Sequence, residues 1–287
     1  MTLSTSPRVV VGYDGTPTAR AALAVAAREA ARRGRTLLIV HAEDEGWDLV
    51  RNGEQGLDPL AEAVELVGTT LPRGRVTVLD RLGPAATVLC EQAENAELLV
   101  VGRGNVGLLA VLMGSVAIDV ASNASCPVLV VGDGGSAAPE TGPVVAGVDR
   151  HHAEEVLEAA FREAELRGAP LLVVHSWSSL HWLGPDGLVT FDADSELLRE
   201  QHLDWLHDLV DRYAGKHPDV EVTQAPREGR AADVLLSASG GAGLMIVGTR
   251  GRGPVRGMLL GSVGQKLVRH ARCPVLVVRG DDPERTT

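Results

Sequence analysis

The sequence predicts an α/β protein built from two tandem Rossmann-like domains. Each is expected to be a five-stranded parallel sheet in flavodoxin-like order, with helices on both faces. Two observations predict this fold. The chain repeats itself, because VVVGYDG at 9–15 returns as VVAGVDR at 144–150, and SCPVLVV at 125–131 returns as RCPVLVV at 272–278. Within each copy, short apolar strands alternate with helical segments, which is typical of a parallel, doubly wound sheet.

The repeat divides the chain into a first domain at 1–132, a linker at 133–142 and a second domain at 143–287. The linker assignment rests on GDGGSAAPETG at 132–142, a stretch rich in glycine, serine, alanine and proline. The second copy also carries a larger insertion in its middle.

Each copy opens with a short apolar strand and an amphipathic helix. In each copy the helix is expected to carry a stripe of apolar residues on one face. It ends at Gly34 in the first copy and at Gly168 in the second. The stripe residues are Leu23, Ala26, Ala27 and Ala30 in the first copy, and Val156, Leu157, Ala160, Phe161 and Ala164 in the second. LLIVHA at 37–42 and LLVVHS at 171–176 are the second strands, and a variable helical segment follows each.

The rest of each copy repeats the alternation. Short strands are predicted at 75–79 and 220–223, and helices at about 84–95 and 230–239. AELLVVG at 96–102 and GLMIVGT at 243–249 are apolar on both faces, which indicates buried strands. A glycine-rich loop, a helix beginning at GSV and the strand PVLVV complete each copy.

Composition excludes several classes of protein. The net charge of −11 argues against general nucleic-acid binding, which needs a basic face. Three cysteines do not make a disulfide framework, so we expect a reducing, cytoplasmic location. The most apolar run, 104–118, is shorter than the ~20 residues of a membrane-spanning helix, and no signal peptide is evident, so no membrane partner is expected.

The glycine loops point to an anion site. Asp14 and Asp149 end the first strands, and the loops follow the fourth strands, so both features can meet in the crevice where strand order reverses. In the second copy Gly261-Ser262 opens a helix, whose first N–H groups suit phosphate. Serine is also a common N-cap, and glycine loops occur without ligands. The residues alone leave both interpretations open.

This combination resembles the universal stress protein family in its tandem two-domain form. The resemblance covers nearly the whole chain and rests on VGYDG and VVAGVD, LLIVH and LLVVH, the glycine loops running into GSV, and the closing CPVLVV strands. In that family the nucleotide signature is G-x-x-G, nine residues, then G-[S/T]. The second copy matches it at Gly248, Gly251, Gly261 and Ser262.

The resemblance implies an ATP site, with or without Mg²⁺, chiefly in the second domain. Asp149 would bind the ribose or adenine side, Gly147 and Val148 would line the base pocket, and Ser176 would offer backbone groups to the adenine edge. Val247 would pack on the nucleoside, while the signature residues Gly248, Gly251, Gly261 and Ser262, with the N–H of Val263, would hold the phosphates. The counterparts in the first copy are Gly12, Asp14, Ala42, Val101, Gly104, Gly114 and Ser115.

Each copy departs from the family pattern. In the first copy the signature shrinks to Gly102-Arg103-Gly104, and Arg103 replaces the three arginines Arg250, Arg252 and Arg256 of the second loop. In the second copy Asp149 is followed by Arg-His-His, where the family usually carries Gly-Ser. We therefore expect tighter ATP binding in the second domain and a weak, altered or empty first site.

The residues suggest no catalytic or metal-ligating set, since no general base, nucleophile and metal cluster converge. The resemblance implies a cytoplasmic regulatory or protective stress module with a protein partner that the sequence does not name. It also implies that the closing strands pair the copies as an intrachain pseudo-dimer, and that two chains form a homodimer. Two alternatives stay open: a slow ATP hydrolase of the related α-hydrolase-like nucleotide-binding group, disfavoured by GYDGTPT and GVDRHH, and a nucleotide-free interaction scaffold.

Overall fold

The computed structural model describes residues 7–43, 59–104, 115–132, 142–150, 153–177, 181–184, 187–190, 195–249 and 260–279. The first domain alternates strands and helices in the order β1 (Arg8–Gly12), α1 (Pro17–Arg32), β2 (Leu37–Glu43), α2 (Pro59–Val67), β3 (Val76–Leu82), α3 (Ala85–Ala93), β4 (Ala96–Gly102), α4 (Ser115–Asn123) and β5 (Val128–Val131). A short 3-10 turn at Arg73–Arg75 precedes β3.

The second domain repeats this order and adds a hairpin. Its elements are β6 (Val144–Val148), α5 (Ala153–Arg167), β7 (Leu171–Trp177), β8 (His181–Gly184), β9 (Gly187–Thr190), α6 (Ser195–Ala214), β10 (Val222–Glu228), α7 (Ala231–Ala238), β11 (Leu244–Gly248), α8 (Ser262–His270) and β12 (Val275–Val278). The antiparallel hairpin β8–β9 lies in the insertion that the repeat located. Of the predicted linker, only Gly142 belongs to the described residues.

Ten strands form one continuous sheet across both domains, in the order β10-β7-β6-β11-β12-β5-β4-β1-β2-β3. The five strands that each domain contributes to this sheet are parallel to one another. The domains join through β5 and β12, which pair antiparallel with Leu276 opposite Leu129. The tandem α/β fold is confirmed, and the closing strands pair within the chain as expected.

The flavodoxin-like strand order, 2-1-3-4-5, is wrong, because each domain has the order 3-2-1-4-5. β1 pairs with β2 on one side and with β4 on the other. The first three strands therefore lie side by side in chain order, and β4 then pairs with the opposite edge of β1. Both orders use short right-handed connections, so strand–helix alternation alone does not distinguish them. Strand order reverses between β1 and β4, and again between β6 and β11.

The sheet is buried on both faces, which explains why its central strands are apolar throughout. In β1, Val9 and Val11 pack with α1 and α2, whereas Val10 packs with α3 and α4 on the opposite face. Side chains that alternate along a strand point to opposite faces, so each face of the sheet contributes its own core. Among the described residues, no helix combines the length and the apolar character needed to cross a bilayer.

The two edge strands are longer than predicted. β3 extends to Leu82 and β10 to Glu228, whereas the sequence indicated 75–79 and 220–223. Most of their residues are exposed or half-buried, among them Asp80, Arg81 and Arg227. An edge strand with little burial needs no apolar period, so its ends leave no signal in the sequence.

Helices α1 and α5 meet across the domain boundary through charged side chains. Four side chains form an interdomain ion cluster, in which each arginine contacts both carboxylates: Glu29 of α1, Arg33 at its C-cap, and Glu163 and Arg167 of α5. Arg167 Nη2 lies 2.6 Å from Glu29 Oε1. All four side chains are at most 8% exposed. Each copy of the repeat therefore contributes one glutamate and one arginine to the domain boundary.

Candidate functional site

The residues assigned to the base side of the second site meet at the carboxyl edge of the sheet. Gly147, near the end of β6, lies opposite Val247 of β11. Asp149 directly follows Val148 and lies level with Ser176 of β7, because Val148 is in register with the preceding residue of that strand. These strand ends flank the reversal of strand order, where ligands bind in open α/β sheets.

The phosphate side is built from the start of α8. The backbone N–H of Gly261 donates to the carbonyl of Thr249 (2.8 Å), just after Gly248 ends β11. This bond places the first turn of α8, with exposed Ser262 and half-buried Val263, beside the strand end. The first N–H groups of a helix have no partner within it and carry the positive end of its dipole.

Ser262 is not the N-cap of α8. Gly261 occupies the cap position with φ −60° and ψ 161°, and it makes no side-chain capping bond. Ser262 is instead the first residue of the helix, and its side chain is exposed. Gly251 lies outside the described residues, as do the arginines Arg250, Arg252 and Arg256.

Two glycines assigned to the site lie close to leucine side chains of the flanking helices. A Cβ on Gly147 would lie 2.7 Å from Leu235 Cδ1 of α7, and a Cβ on Gly12 would lie 3.0 Å from Leu89 Cδ1 of α3. Glycine at the end of β1 and β6 lets these helices approach the sheet closely. Close packing of α3 and α7 is therefore one reason for glycine at both strand ends.

The first-domain counterparts occupy equivalent places with different neighbours. Gly12 ends β1, half-buried Ala42 lies in β2, and buried Val101 lies in β4. Asp14 Oδ1 accepts hydrogen bonds from the backbone N–H (3.0 Å) and the hydroxyl (2.6 Å) of Thr16. Thr16 in turn caps α1. One oxygen of this aspartate therefore holds the turn between β1 and α1.

The arginine of the first-domain glycine loop, Arg103, contacts the domain boundary. Arg103 Nη2 donates to the carbonyl of Ala271 in the second domain (2.5 Å), and its guanidinium fills the space that a Cβ on Gly132 would need. Gly104 has φ +79°, a conformation that glycine adopts without strain. Ser115 begins α4, and Gly114 lies outside the described residues.

An aromatic and histidine cluster beside Asp149 was missed by sequence reasoning. His175 Nδ1 donates to the carbonyl of Val148 (3.0 Å), which leaves its Nε2 to accept from His202 Nδ1 of α6 (3.0 Å). His175 also packs against Trp205, and Arg150 lies over the Trp205 ring at 4.9 Å. The signal was available, because His202, Trp205 and Leu206 share the helix face that continues to buried Leu209.

Among the described residues, neither of the two buried cysteines is a candidate nucleophile, and no metal-ligating group stands out. Burial raises the pKa of Cys126 and of Cys273 to about 12, so both thiols stay protonated at neutral pH. No group of three or more His, Cys, Asp or Glu residues in the described ranges is arranged to hold a metal ion. The arrangement at the carboxyl edge suits binding of an anionic ligand.

The chain is similar to known proteins over most of its length. The model of the universal stress protein family matches residues 6–132 and 141–279. Universal stress protein Rv2623 of Mycobacterium tuberculosis H37Rv is 34% identical over 294 residues, covering 94% of this chain and 96% of the relative. A universal stress protein of Mycolicibacterium smegmatis is 31% identical over 291 residues, with 94% and 96% covered.

A solved structure shows the same fold over the full tandem length. The crystal structure of a universal stress protein from Archaeoglobus fulgidus DSM 4304 superposes with a TM-score of 0.62 and 17% identity. The match covers 94% of this chain and 98% of that one. The likeness therefore includes both domains.

Proposed function

Because the chain belongs to the universal stress protein family, in its tandem form, we propose that it binds ATP in the crevice of its second domain. It would act in the cytoplasm as a regulatory or protective module under stress. The proposed domains are 1–132 and 143–287, joined by a linker at 133–142.

The observation that carries the proposal is the bond from Gly261 N–H to the Thr249 carbonyl. It holds the amino end of α8 beside the end of β11, next to the edge where Asp149 and Ser176 lie. Asp149 would accept hydrogen bonds from ribose hydroxyls, and Val247 would pack against the nucleoside. The first N–H groups of α8 and the Ser262 hydroxyl would donate to phosphate oxygens.

These hydrogen-bond donors suit the phosphates of ATP, and Mg²⁺ would need few ligands from the protein. Backbone amides at a helix start suit a polyphosphate, and Arg250, Arg252 and Arg256 bring positive charge to the same loop of the sequence. Mg²⁺ binds proteins through few carboxylates plus substrate phosphates. The metal ion would therefore arrive with the nucleotide and be held mainly by its phosphates.

One contact supports the preference for the second domain. Arg103, the arginine of the shortened first loop, is bonded to Ala271 across the domain boundary. This contact weakens the first crevice as a nucleotide site, because the positive charge of the loop is already used.

Equilibrium dialysis with ATP tests the proposal through matched variants. We expect the wild type to bind one tight equivalent, and Asp149→Ala to weaken it about tenfold or more, since a hydrogen bond to a charged group is worth about 1.5–3 kcal/mol. Asp14→Ala is the matched control and should leave the tight site unchanged. Equal losses in both variants would refute the ranking of the two domains.

The alternatives predict other outcomes. Steady release of ADP or AMP that Asp149→Ala abolishes would identify a slow hydrolase. Purified protein that carries no adenine nucleotide and binds none would identify a nucleotide-free scaffold. Stronger competition by cyclic AMP than by ATP would assign the crevice to a different adenine ligand.

A further inference from the structure

The outer edge of β3 has the backbone geometry to pair with another strand. β3 is the terminal strand of the sheet on the first-domain side, and its seven residues pair with β2 without a register shift. The N–H of Gly83, just after β3, donates to the carbonyl of Glu43 in β2 (2.8 Å). Because N–H groups alternate sides along a strand, those of Val78, Asp80 and Leu82 point away from β2. These N–H groups face outward in a row, without a partner strand among the described residues.

The equivalent edge of the second domain is blocked by a proline. Pro226 has the place in β10 that Asp80 has in β3, since each is in register with the histidine of the neighbouring strand. The bond from the Gly229 N–H to the Trp177 carbonyl (2.7 Å) sets the same alternation in β10. Pro226 therefore lies at an outward position, where it has no N–H and its ring obstructs an incoming strand. Such prolines protect edge strands from pairing, and β3 contains none.

Exposed apolar side chains accompany the open edge of β3. Val78 and Leu82 are 47% and 71% exposed. Val76 packs with the core beneath α1 and α2, so these two residues, at alternating positions after it, lie on the α2 side of the sheet. Leu66 of α2 is 49% exposed on that same side. Of the large apolar side chains that are exposed among the described residues, only Leu197 lies elsewhere.

The charges at this edge favour an acidic partner. Arg73, in the turn before β3, and Arg81, near the end of β3, are exposed, and neither forms an ion pair with another described residue. Asp80 already has a partner within the sheet, because its Oδ1 lies 3.1 Å from His41 Nδ1. Arg81 points to the opposite face from the exposed apolar side chains. An incoming strand would therefore place apolar residues on one face and acidic residues beside Arg81 on the other.

We propose that the outer edge of β3 binds an extended segment of a partner protein as an added strand, and that apolar and acidic residues alternate along this segment. Backbone hydrogen bonds to Val78, Asp80 and Leu82 supply affinity, and the side chains on the two faces supply the preference for this pattern. The β5–β12 pairing lies in the middle of the sheet, so it leaves this edge open. The proposal does not depend on nucleotide binding.

Calorimetric titration of the full chain with synthetic peptides at low ionic strength tests the proposal. The probe is a peptide as long as β3 in which valine and glutamate alternate, and the comparison peptide has lysine in place of glutamate. We expect the glutamate peptide to bind at least about tenfold more tightly, because Arg73 and Arg81 attract one peptide and repel the other. Equal affinities would refute the acidic partner, and no binding of either peptide at about 1 mM would refute the docking site.

Two substitutions at one position test the backbone pairing. Asp80→Pro copies Pro226 and removes an outward N–H without touching the ladder to β2, so it should weaken binding of the glutamate peptide about tenfold. Asp80→Asn is the matched control, because it removes the charge and keeps the N–H. It should bind the peptide at least as tightly as the wild type. Equal affinity of the two variants would contradict strand pairing.

A second pair of variants tests the apolar contacts. Val78→Thr combined with Leu82→Gln should weaken binding about fivefold or more, because both side chains lose apolar surface that the peptide covers. Leu197→Gln alters an exposed leucine on α6 and should leave the Kd unchanged. Equal losses in both proteins would count against contact at β3. Cooperative urea unfolding of each variant separates lost binding from lost folding.

Hydrogen exchange of the wild type locates the peptide without any substitution. We expect slower exchange at the amides of Val78, Asp80 and Leu82 when the glutamate peptide is bound, and unchanged exchange in β10. Peptide binding that slows exchange elsewhere and leaves these three amides unaffected would overturn the proposal.

Discussion

Asp14 and Asp149 occupy the same place in the two copies, but their neighbours differ. Asp14 is tied to Thr16 in the turn before α1. Asp149 follows a strand end whose carbonyl, on Val148, is held by His175. Duplication supplied the same residue twice, and later changes around it gave the two carboxylates different partners. Differences of this size, one or two hydrogen bonds, are enough to change ligand affinity about tenfold or more.

Because of its two buried thiols, the folded chain should lose stability as the pH becomes alkaline. Cys126 and Cys273 have a pKa of about 12 in the folded chain, against an ordinary value of 9.0. Above about pH 9 the unfolded chain loses these protons and the folded chain keeps them. Unfolding therefore becomes easier as pH rises, by about 1.4 kcal/mol per pH unit for each thiol.

Urea unfolding at about pH 7.5 and about pH 10.5 measures this effect. The wild type should lose about 2 kcal/mol more per thiol between these pH values than a variant with that thiol replaced, Cys126→Ala or Cys273→Ala. Comparing the pH difference within each protein removes the packing cost of the substitution itself. Identical pH differences in wild type and variants would show that the thiols are not shielded from water.

At the scale of elements, α1 and α5 connect the two domains through the interdomain ion cluster. Arg33 and Glu163 have side-chain exposures of 4% and 8%, so their charges are largely removed from water. Removing one member of a buried cluster leaves a charge without compensation, which typically costs about 3–5 kcal/mol. Replacing a whole buried cluster by apolar side chains is often neutral or stabilising.

We expect Arg33→Met to lower the free energy of unfolding by about 3 kcal/mol or more, because Glu29 and Glu163 then share too little positive charge. Urea unfolding at neutral pH measures the change. The control is Arg162→Met in the exposed pair with Glu158, where the side chains are 61% and 64% exposed and the cost should stay below about 1 kcal/mol. Similar losses in both variants would contradict a special role for the interdomain cluster.

Sequence patterns predicted elements best where apolar residues mark the part of the element that is buried. The stripe from Val156 to Ala164 located α5, and the apolar run at 96–102 located β4, since both elements bury what the pattern marks. The exposed edge strands β3 and β10 gave no such pattern and were predicted too short. Strand order also escaped prediction, because the crossover that lays β4 beside β1 depends on tertiary packing rather than on local sequence.

The sequence proposed residues for the candidate site but not the contacts that these residues make. Duplication and the family signature pointed to Asp149, Val247 and Gly261, which lie at the carboxyl edge of the sheet or beside it. Neither could show that Arg103 turns to the Ala271 carbonyl, since the two residues are far apart in the chain. The contacts of His175 with His202 were hidden for the same reason. Long-range contacts of this kind leave no local pattern in the sequence.

On the scale of the whole molecule, a continuous ten-stranded sheet joins two copies that have diverged in sequence. The first copy has a shortened glycine loop and an arginine directed to the domain boundary. The second has the full family signature. The shared fold therefore carries two crevices with different surroundings.

The central claim is that the second crevice, at the ends of β6 and β11, holds the nucleotide. A crystal structure of the protein soaked with ATP tests it most directly. We predict density for adenosine beside Asp149 and Val247 and for phosphates at the first turn of α8, with lower or no occupancy beside Asp14. A second crevice filled by its own side chains and without adenine density, or a nucleotide bound only in the first domain, would contradict the account.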